Sequence, residues 1–177
     1  MQDAGRCAKI MDMMNVRNYA KELDKIVEAL YRENRRPSLL LHACCAPCSS
    51  AVLERLTAAF AVTVLFYNPN IAPQAEYEKR AAELERLICE MPAAQGVQMV
   101  RAPYDPREFL EAVRGFETVP EGGERCFRCY RLRLEAAARY AAAHGFDYFT
   151  TTLSISPLKN AAKLNAIGEA LGAQYGV

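Results

Sequence analysis

Four short runs of aliphatic and β-branched residues, set between stretches with apolar side chains at helical spacing, restrict this chain to few architectures. "SLLLHA" (38–43), "AVTVLFYNPN" (61–70), "VQMVRA" (97–102) and "FDYFTTTLS" (146–154) read as strands, the second closed by the turn signal Asn-Pro-Asn. A helix is predicted over 17–34, with Tyr19, Leu23, Ile26, Val27 and Leu30 on one face and the breaker "NRRP" behind it. Pro47 and Ser49 open a second helix, whose Leu53 and Leu56 face inward, and a charged helix runs from about Pro73 to Glu90. Asp105 as cap and Pro106 at the first helical position start a helix over 105–116. A further helix covers Arg125 to His144, and "PLKNAAKLNAIGEALG" (157–172) is the last. Strands alternating with helices in this way pair in parallel, and a parallel sheet must be covered on both faces. The predicted fold class is therefore α/β, a doubly wound, mostly parallel sheet with helices on both faces. The closing "GAQYGV" reads as a helix stop followed by the first residues of another strand, so the sequence is expected to be a C-terminally truncated piece of a longer protein.

With 177 residues, 51% of them apolar and 24% charged, the chain suits one globular domain. That domain is placed at 17–177, with 1–16 a disordered N-terminus. The N-terminal stretch intersperses charges among its apolar residues, unlike a signal peptide. No segment approaches the roughly 18 apolar residues of a membrane span. A cytoplasmic location without membrane contact is expected. A net charge of +1 makes no global case for nucleic acid, so any such case rests on local patches.

Seven cysteines are about 4% of the chain, well under the roughly 8–10% of a disulfide scaffold. Five of them are clustered, which points to metal or redox chemistry. Cys44, Cys45 and Cys48 stand where the first strand ends and a helix begins. Ligand sites in open parallel sheets lie beyond the carboxyl ends of the strands, where helix N-termini offer free amides and a positive dipole end. Both favour thiolate. Cys126 and Cys129 form a C-x-x-C at the start of the 125–144 helix, on one face. Leu134, Ala137, Ala138 and Ala141 form the apolar stripe that holds this helix to the sheet. Three readings fit these thiols to different degrees. An iron–sulfur cluster takes four thiolates and leaves one spare. A structural zinc site usually draws four ligands from two C-x-x-C knuckles, and a dithiol oxidoreductase uses one C-x-x-C.

Arg125, Arg128, Arg131, Arg133 and Arg139 gather around the second cysteine pair, and Arg128, Arg131 and Arg139 share a helix face with Glu135, either as phosphate contacts or as a solvated face. Tyr67, Phe127 and Tyr130 are candidates for base stacking, Tyr130 being as well suited to the core. Thr151, Thr152, Ser154, Ser156, Lys159 and Asn160 fall on the ligand edge of the fourth strand. Ser154 or Ser156 equally suits the cap of the last helix. Asn68 and Asn70 suit a turn or a ligand. His42, inside a strand, is read as a satisfied core residue, and His144 as a helix C-terminus. Cys7 and Cys89 receive no function.

"LLLHACCAPCSS", "YNPNI", "EYEKR", "GGERCFRCYRLRLE" and "FDYFTTTLSISPLKN" occur in this order, and over roughly Tyr19 to the last residue the chain resembles the QueH-type epoxyqueuosine reductases. The resemblance implies a fold similar to the nucleotide-alpha-hydrolase-like (HUP-type) sheets. It also implies a cytosolic iron–sulfur enzyme, independent of cobalamin, for the last step of queuosine biosynthesis. That step reduces epoxyqueuosine to queuosine at the wobble position of tRNA. By position, Cys44, Cys45, Cys126 and Cys129 match the residues that would hold a [4Fe-4S] cluster. Cys48 stands where relatives commonly carry Asp, and is assigned a catalytic place facing the cluster or a second, adjacent iron. The implied partners are tRNA bearing epoxyqueuosine in its anticodon loop and an external electron donor, since the sequence has no G-x-G-x-x-G and no cue for flavin. Arg128 and Arg131 are then candidate phosphate contacts, and Asn68, Ser154, Ser156 and Lys159 candidate substrate contacts. Relatives continue beyond "YGV" with a lysine-rich stretch and a C-terminal Cys-x-Cys, so weak turnover and reduced stability are expected of these 177 residues. The alternatives are a zinc-stabilised RNA-binding module without catalysis and a thiol–disulfide oxidoreductase.

Overall fold

The computed structural model describes residues 17–177; the N-terminal stretch 1–16, predicted to be disordered, lies outside the described residues, as does Cys7. The chain divides into two compact units, Met1–Arg35 and Arg36–Val177. In the first, helix α1 (Tyr19–Arg32) starts at Asn18, whose side chain accepts the Lys21 amide at 3.1 Å. It ends through Asn34 at φ 50°, a left-handed conformation that Asn tolerates better than most residues.

The second unit is built on four parallel strands, β1 (Ser38–His42), β2 (Ala61–Phe66), β3 (Gln98–Arg101) and β4 (Tyr148–Thr151), in the order β3-β2-β1-β4. Helix α2 (Ala46–Leu56) follows β1, and α3 (Gln74–Glu90) follows β2. Helices α4 (Pro106–Ala112) and α5 (Glu124–Ala143) lie between β3 and β4, and α6 (Ala161–Tyr175) comes last. Side chains alternate across a strand, so Leu40, Leu65, Val100 and Phe149 share one face, where Ala137 and Ala141 of α5 pack against them. The alanines let the helix approach the sheet closely. On the other face Tyr148 meets Phe60 edge-on at 5.7 Å, and Phe66 meets Tyr77 of α3 at 5.0 Å. Both faces are therefore covered, as the alternation of strand and helix requires. At the opposite end of the sheet Asp147 accepts the Ser38 amide and hydroxyl at 2.8 and 2.7 Å, which pins β1 beside β4.

Three boundaries differ from expectation. Asp105 does cap α4, accepting the Arg107 amide at 2.9 Å, but the helix stops at Ala112 instead of reaching 116. Helix α6 begins at Ala161 and is capped by Asn160, which accepts the Lys163 amide at 2.9 Å. Neither Ser154 nor Ser156 caps it; Ser154 lies in a 3₁₀ turn (Thr152–Ile155) and donates to the Thr151 carbonyl at 3.2 Å. Gly172 is inside α6 and the stop is Gly176 at φ 74°, so the strand expected in "GAQYGV" is a continuing helix. Gly172 serves packing: a Cβ there would meet the Val177 carbonyl at 2.7 Å. Among the described residues no helix is long and apolar enough to cross a membrane.

Candidate metal centre

Strands β2 and β3 extend the sheet to one side of β1, whereas β4 lies on the other. The crevice between β1 and β4, beyond their carboxyl ends, is the switch point at which open α/β sheets take ligands. Cys44 follows β1 and Thr152 follows β4, and Cys44 Sγ lies 3.7 Å from Thr152 Oγ1 across that crevice. The turn into α2 makes Cys45 the residue before the first helical position, with Pro47 near the N-terminus. Ser49, fully buried, ties the turn by donating to the Cys45 carbonyl at 2.8 Å.

The Sγ atoms of Cys44, Cys45 and Cys48 all lie within 4.8 Å of one another, the one compact set of potential metal donors among the described residues. Cys44 and Cys45 sulfurs are 3.7 Å apart. The Cys44 thiol is lowered to about 5 by the hydrogen bond from Cys45, helped by Arg133, Thr152 and Lys159 against the opposing effect of burial. The same pairing raises Cys45, because two adjacent thiols resist sharing two negative charges.

Cys126 and Cys129 stand on α5, outside the compact set of donors. Cys126 and Cys44 pack against the same buried cluster of Tyr130, Leu134 and Leu153. The Gly122 amide donates to Cys126 Sγ at 3.3 Å, a bond of the kind that tunes thiolate-bound metal groups. Cys129 is raised by burial, with Arg133 and Lys159 pulling it down. The same two cations thus act on Cys44 and on Cys129. Cys44, Cys45 and Cys48, without a carboxylate in their compact set and with cations nearby, form a soft donor set suited to zinc or an iron–sulfur group; Cys126 and Cys129 stand outside that set.

The other candidates sort by depth. Asn68 is 1% exposed: its Nδ2 donates to the Ala43 carbonyl at 2.9 Å and its Oδ1 accepts Arg133 Nη2 at 2.6 Å. Both ends of its amide are thereby taken up within the protein. His42 is buried between Thr151 Oγ1 at 2.9 Å and the Tyr67 carbonyl at 3.0 Å, and burial with the nearby Arg133 lowers it to about 3. It is the neutral core histidine that its place in a strand predicts. Tyr130 is core and Phe127 half-buried, with Lys163 Nζ 5.2 Å from the Phe127 ring centroid. Tyr67 donates its hydroxyl to Glu108. Arg128 is exposed, stacked 3.9 Å over Phe116 and 3.7 Å from Glu124, and Arg131 lies 3.8 Å from Glu135. Lys159 and Ser156 are half-buried on the loop between the 3₁₀ turn and α6, joined by a backbone bond at 3.1 Å.

Sequence reasoning missed the separate position of Arg133. Its cluster with the arginines around the second cysteine pair gives it no separate role, yet it is 3% exposed. The signal was present: 126, 130, 133, 137 is a helical stripe, and 133 lies on it between Tyr130 and Ala137.

A family model described as "Epoxyqueuosine reductase QueH" matches residues 39–177. Proteins of that name are similar over 85% of this chain. One from Streptococcus pyogenes serotype M1 is 43% identical over 153 residues, 60% of that protein. One from Staphylococcus epidermidis is 41% identical over 155 residues, 65% of its length. One from Haemophilus influenzae is 39% identical over 151 residues, 60% of its length. The chain therefore spans roughly three-fifths of the relatives it matches.

Proposed function

Because this chain belongs to the family of epoxyqueuosine reductases QueH, we propose that it carries the metal-holding part of a cytoplasmic oxidoreductase that converts epoxyqueuosine in tRNA to queuosine. The observation that carries the reading is the convergence of thiol donors and two cations at the switch point of the sheet. Cys44, Cys45, Cys126 and Cys129 are the four proposed ligands of a [4Fe-4S] cluster, leaving Cys48 beside it. When bound, such a cluster supplies electrons one at a time. Removing the epoxide oxygen as water takes two electrons and two protons, so an external donor must deliver electrons in succession.

The chain's own residues have three tasks in this scheme. The low Cys44 thiol presents thiolate for metal capture at neutral pH. Lys159, half-buried at the mouth and close enough to act on Cys44 and Cys129, is placed to hold an anionic or hydroxyl-bearing group of the nucleoside. Arg128, exposed between the two cysteines, and Arg131, exposed two residues beyond Cys129, are proposed to hold phosphates of the anticodon loop. Their glutamate partners are surface ion pairs, which are weak and exchange readily for a phosphate.

Iron, sulfide and zinc analysis of protein purified without oxygen tests the reading. About four irons and four sulfides per chain are expected, followed by turnover of epoxyqueuosine-tRNA with a chemical reductant. About one zinc and no sulfide, with tRNA bound regardless of its modification, would replace the enzyme with a zinc-stabilised binding module.

A further inference from the structure

We infer that Arg133 is the buried counter-cation of the cysteine site, a positioning residue whose fixed charge sets the reduction potential and metal affinity of the group those cysteines hold. The inference rests on the proposed metal-holding role. Arg133 is 3% exposed on α5, one helical turn beyond Cys129. Among the described residues no carboxylate forms an ion pair with it, although ten other such pairs occur on the surface. Its guanidinium meets no carboxylate: Nη2 donates to Asn68 Oδ1 at 2.6 Å, Nε lies 3.4 Å from His42 Nε2, and Cys129 is a further side-chain hydrogen-bond partner. A buried cation without an anion is strongly disfavoured. The anions at hand are the thiolates: Cys129 stands one helical turn before Arg133 on α5, and Asn68 ties the guanidinium to the Ala43 carbonyl just before Cys44.

The neighbours are consistent with that role. Asn68 also holds the Ala43 carbonyl at 2.9 Å, so one amide ties the guanidinium to the backbone just before Cys44. His42, held between Thr151 Oγ1 and the Tyr67 carbonyl, supplies no anion to the guanidinium. Lys159 also acts on both thiols, but it is half-buried at the mouth, where water and substrate screen it. Arg133 is the cation whose charge a bound substrate leaves in place.

The test compares Arg133→Met, Arg133→Lys and Asn68→Asp with the wild type, purified without oxygen, using iron and sulfide content, potentiometric titration followed by electron paramagnetic resonance, and chelator challenge. Losing the positive charge makes reduction harder. Arg133→Met should therefore move the midpoint to a more negative value and weaken metal retention roughly 10–100-fold, while Arg133→Lys restores most of both. Should Arg133→Met fail to fold, Asn68→Asp decides, because it sets a carboxylate against Arg133 at nearly constant volume and should move the potential the same way. Arg131→Met, on the exposed face of α5, should leave the potential unchanged. Wild-type protein without iron and sulfide would overturn the metal-holding reading itself and this inference with it. A wild type that holds the cluster, with an unmoved potential in Arg133→Met or Asn68→Asp, overturns this inference alone.

Discussion

The two cysteine-bearing segments are positioned by different physics. Cys44, Cys45 and Cys48 are brought within 4.8 Å by the local turn from β1 into α2, with the Asn68 and Ser49 hydrogen bonds fixing the backbone. Cys126 and Cys129 arrive on a helix whose position depends on distant partners: Tyr130, Leu134 and Ala138 against α6, and Ala137 and Ala141 against the sheet. One half of the site is a property of five consecutive residues, and the other is a property of the core. Single substitutions at the five cysteines give the sharpest break in that comparison. If the two segments supply two ligands each, Cys44→Ala, Cys45→Ala, Cys126→Ala and Cys129→Ala should each lose essentially all iron, whereas Cys48→Ala keeps it. Loss in Cys48→Ala with retention in Cys126→Ala would move the site entirely onto the local turn.

The next effect falls on the core-dependent half. Leu134 is 2% exposed beneath Cys126 and Cys44, and Leu134→Ala should cost about 2–5 kcal/mol of stability, read from the denaturant midpoint of the metal-free protein. Because α5 is held by that packing, the metal content of Leu134→Ala should fall as well. Full metal content alongside the expected destabilisation would show that α5 is fixed by its other contacts.

The same contrast explains what was legible in the sequence. The order of strands and helices, the vicinal cysteines at a strand end, the cap Asp105 and Pro106 at the first helical position follow from local periodicity and turn chemistry, and the structure reproduces them. Features set by tertiary packing were less visible. Gly172 looked like a helix stop because glycine usually is one near a helix end; its real cause is the close approach of the Val177 carbonyl. Ser154 and Ser156 suit a cap by residue type, but Asn160, directly before the first helical residue, takes that role. Arg133 resembled its neighbours in sequence because a basic residue is normally exposed. Only its helical phase marked it as inward, and only the absence of an ion pair marks it as unusual.

A smaller effect separates the two faces of α5. Arg128 stacks over Phe116 in solvent, whereas Arg133 is enclosed. If the outer face meets the anticodon loop, Arg128→Ala should weaken tRNA binding about equally for modified and unmodified tRNA. The slope of log affinity against log salt should fall by about 0.7–0.9. An unchanged slope would remove Arg128 from the phosphate contacts and leave it a partner of Phe116 and Glu124.

The smallest expected effect concerns how the C-x-x-C is presented. Gly122 has φ +86°, and no heavy atom lies within 4 Å of where a Cβ would be, so Gly122→Ala adds backbone strain without a collision. That strain is worth about 1–2 kcal/mol. Gly123 differs, since its Cβ would meet Val119 Cγ1 at 2.7 Å. The Gly122 amide donates to Cys126 Sγ at 3.3 Å, so relaxing the strain by turning the peptide would also withdraw a hydrogen bond from that sulfur. Gly122→Ala should therefore lower stability by about the strain energy and shift the absorption spectrum of the metal-loaded protein. Destabilisation with an unchanged spectrum would mean that the loop tolerates the residue in its original geometry, with Cys126 positioned by α5 alone.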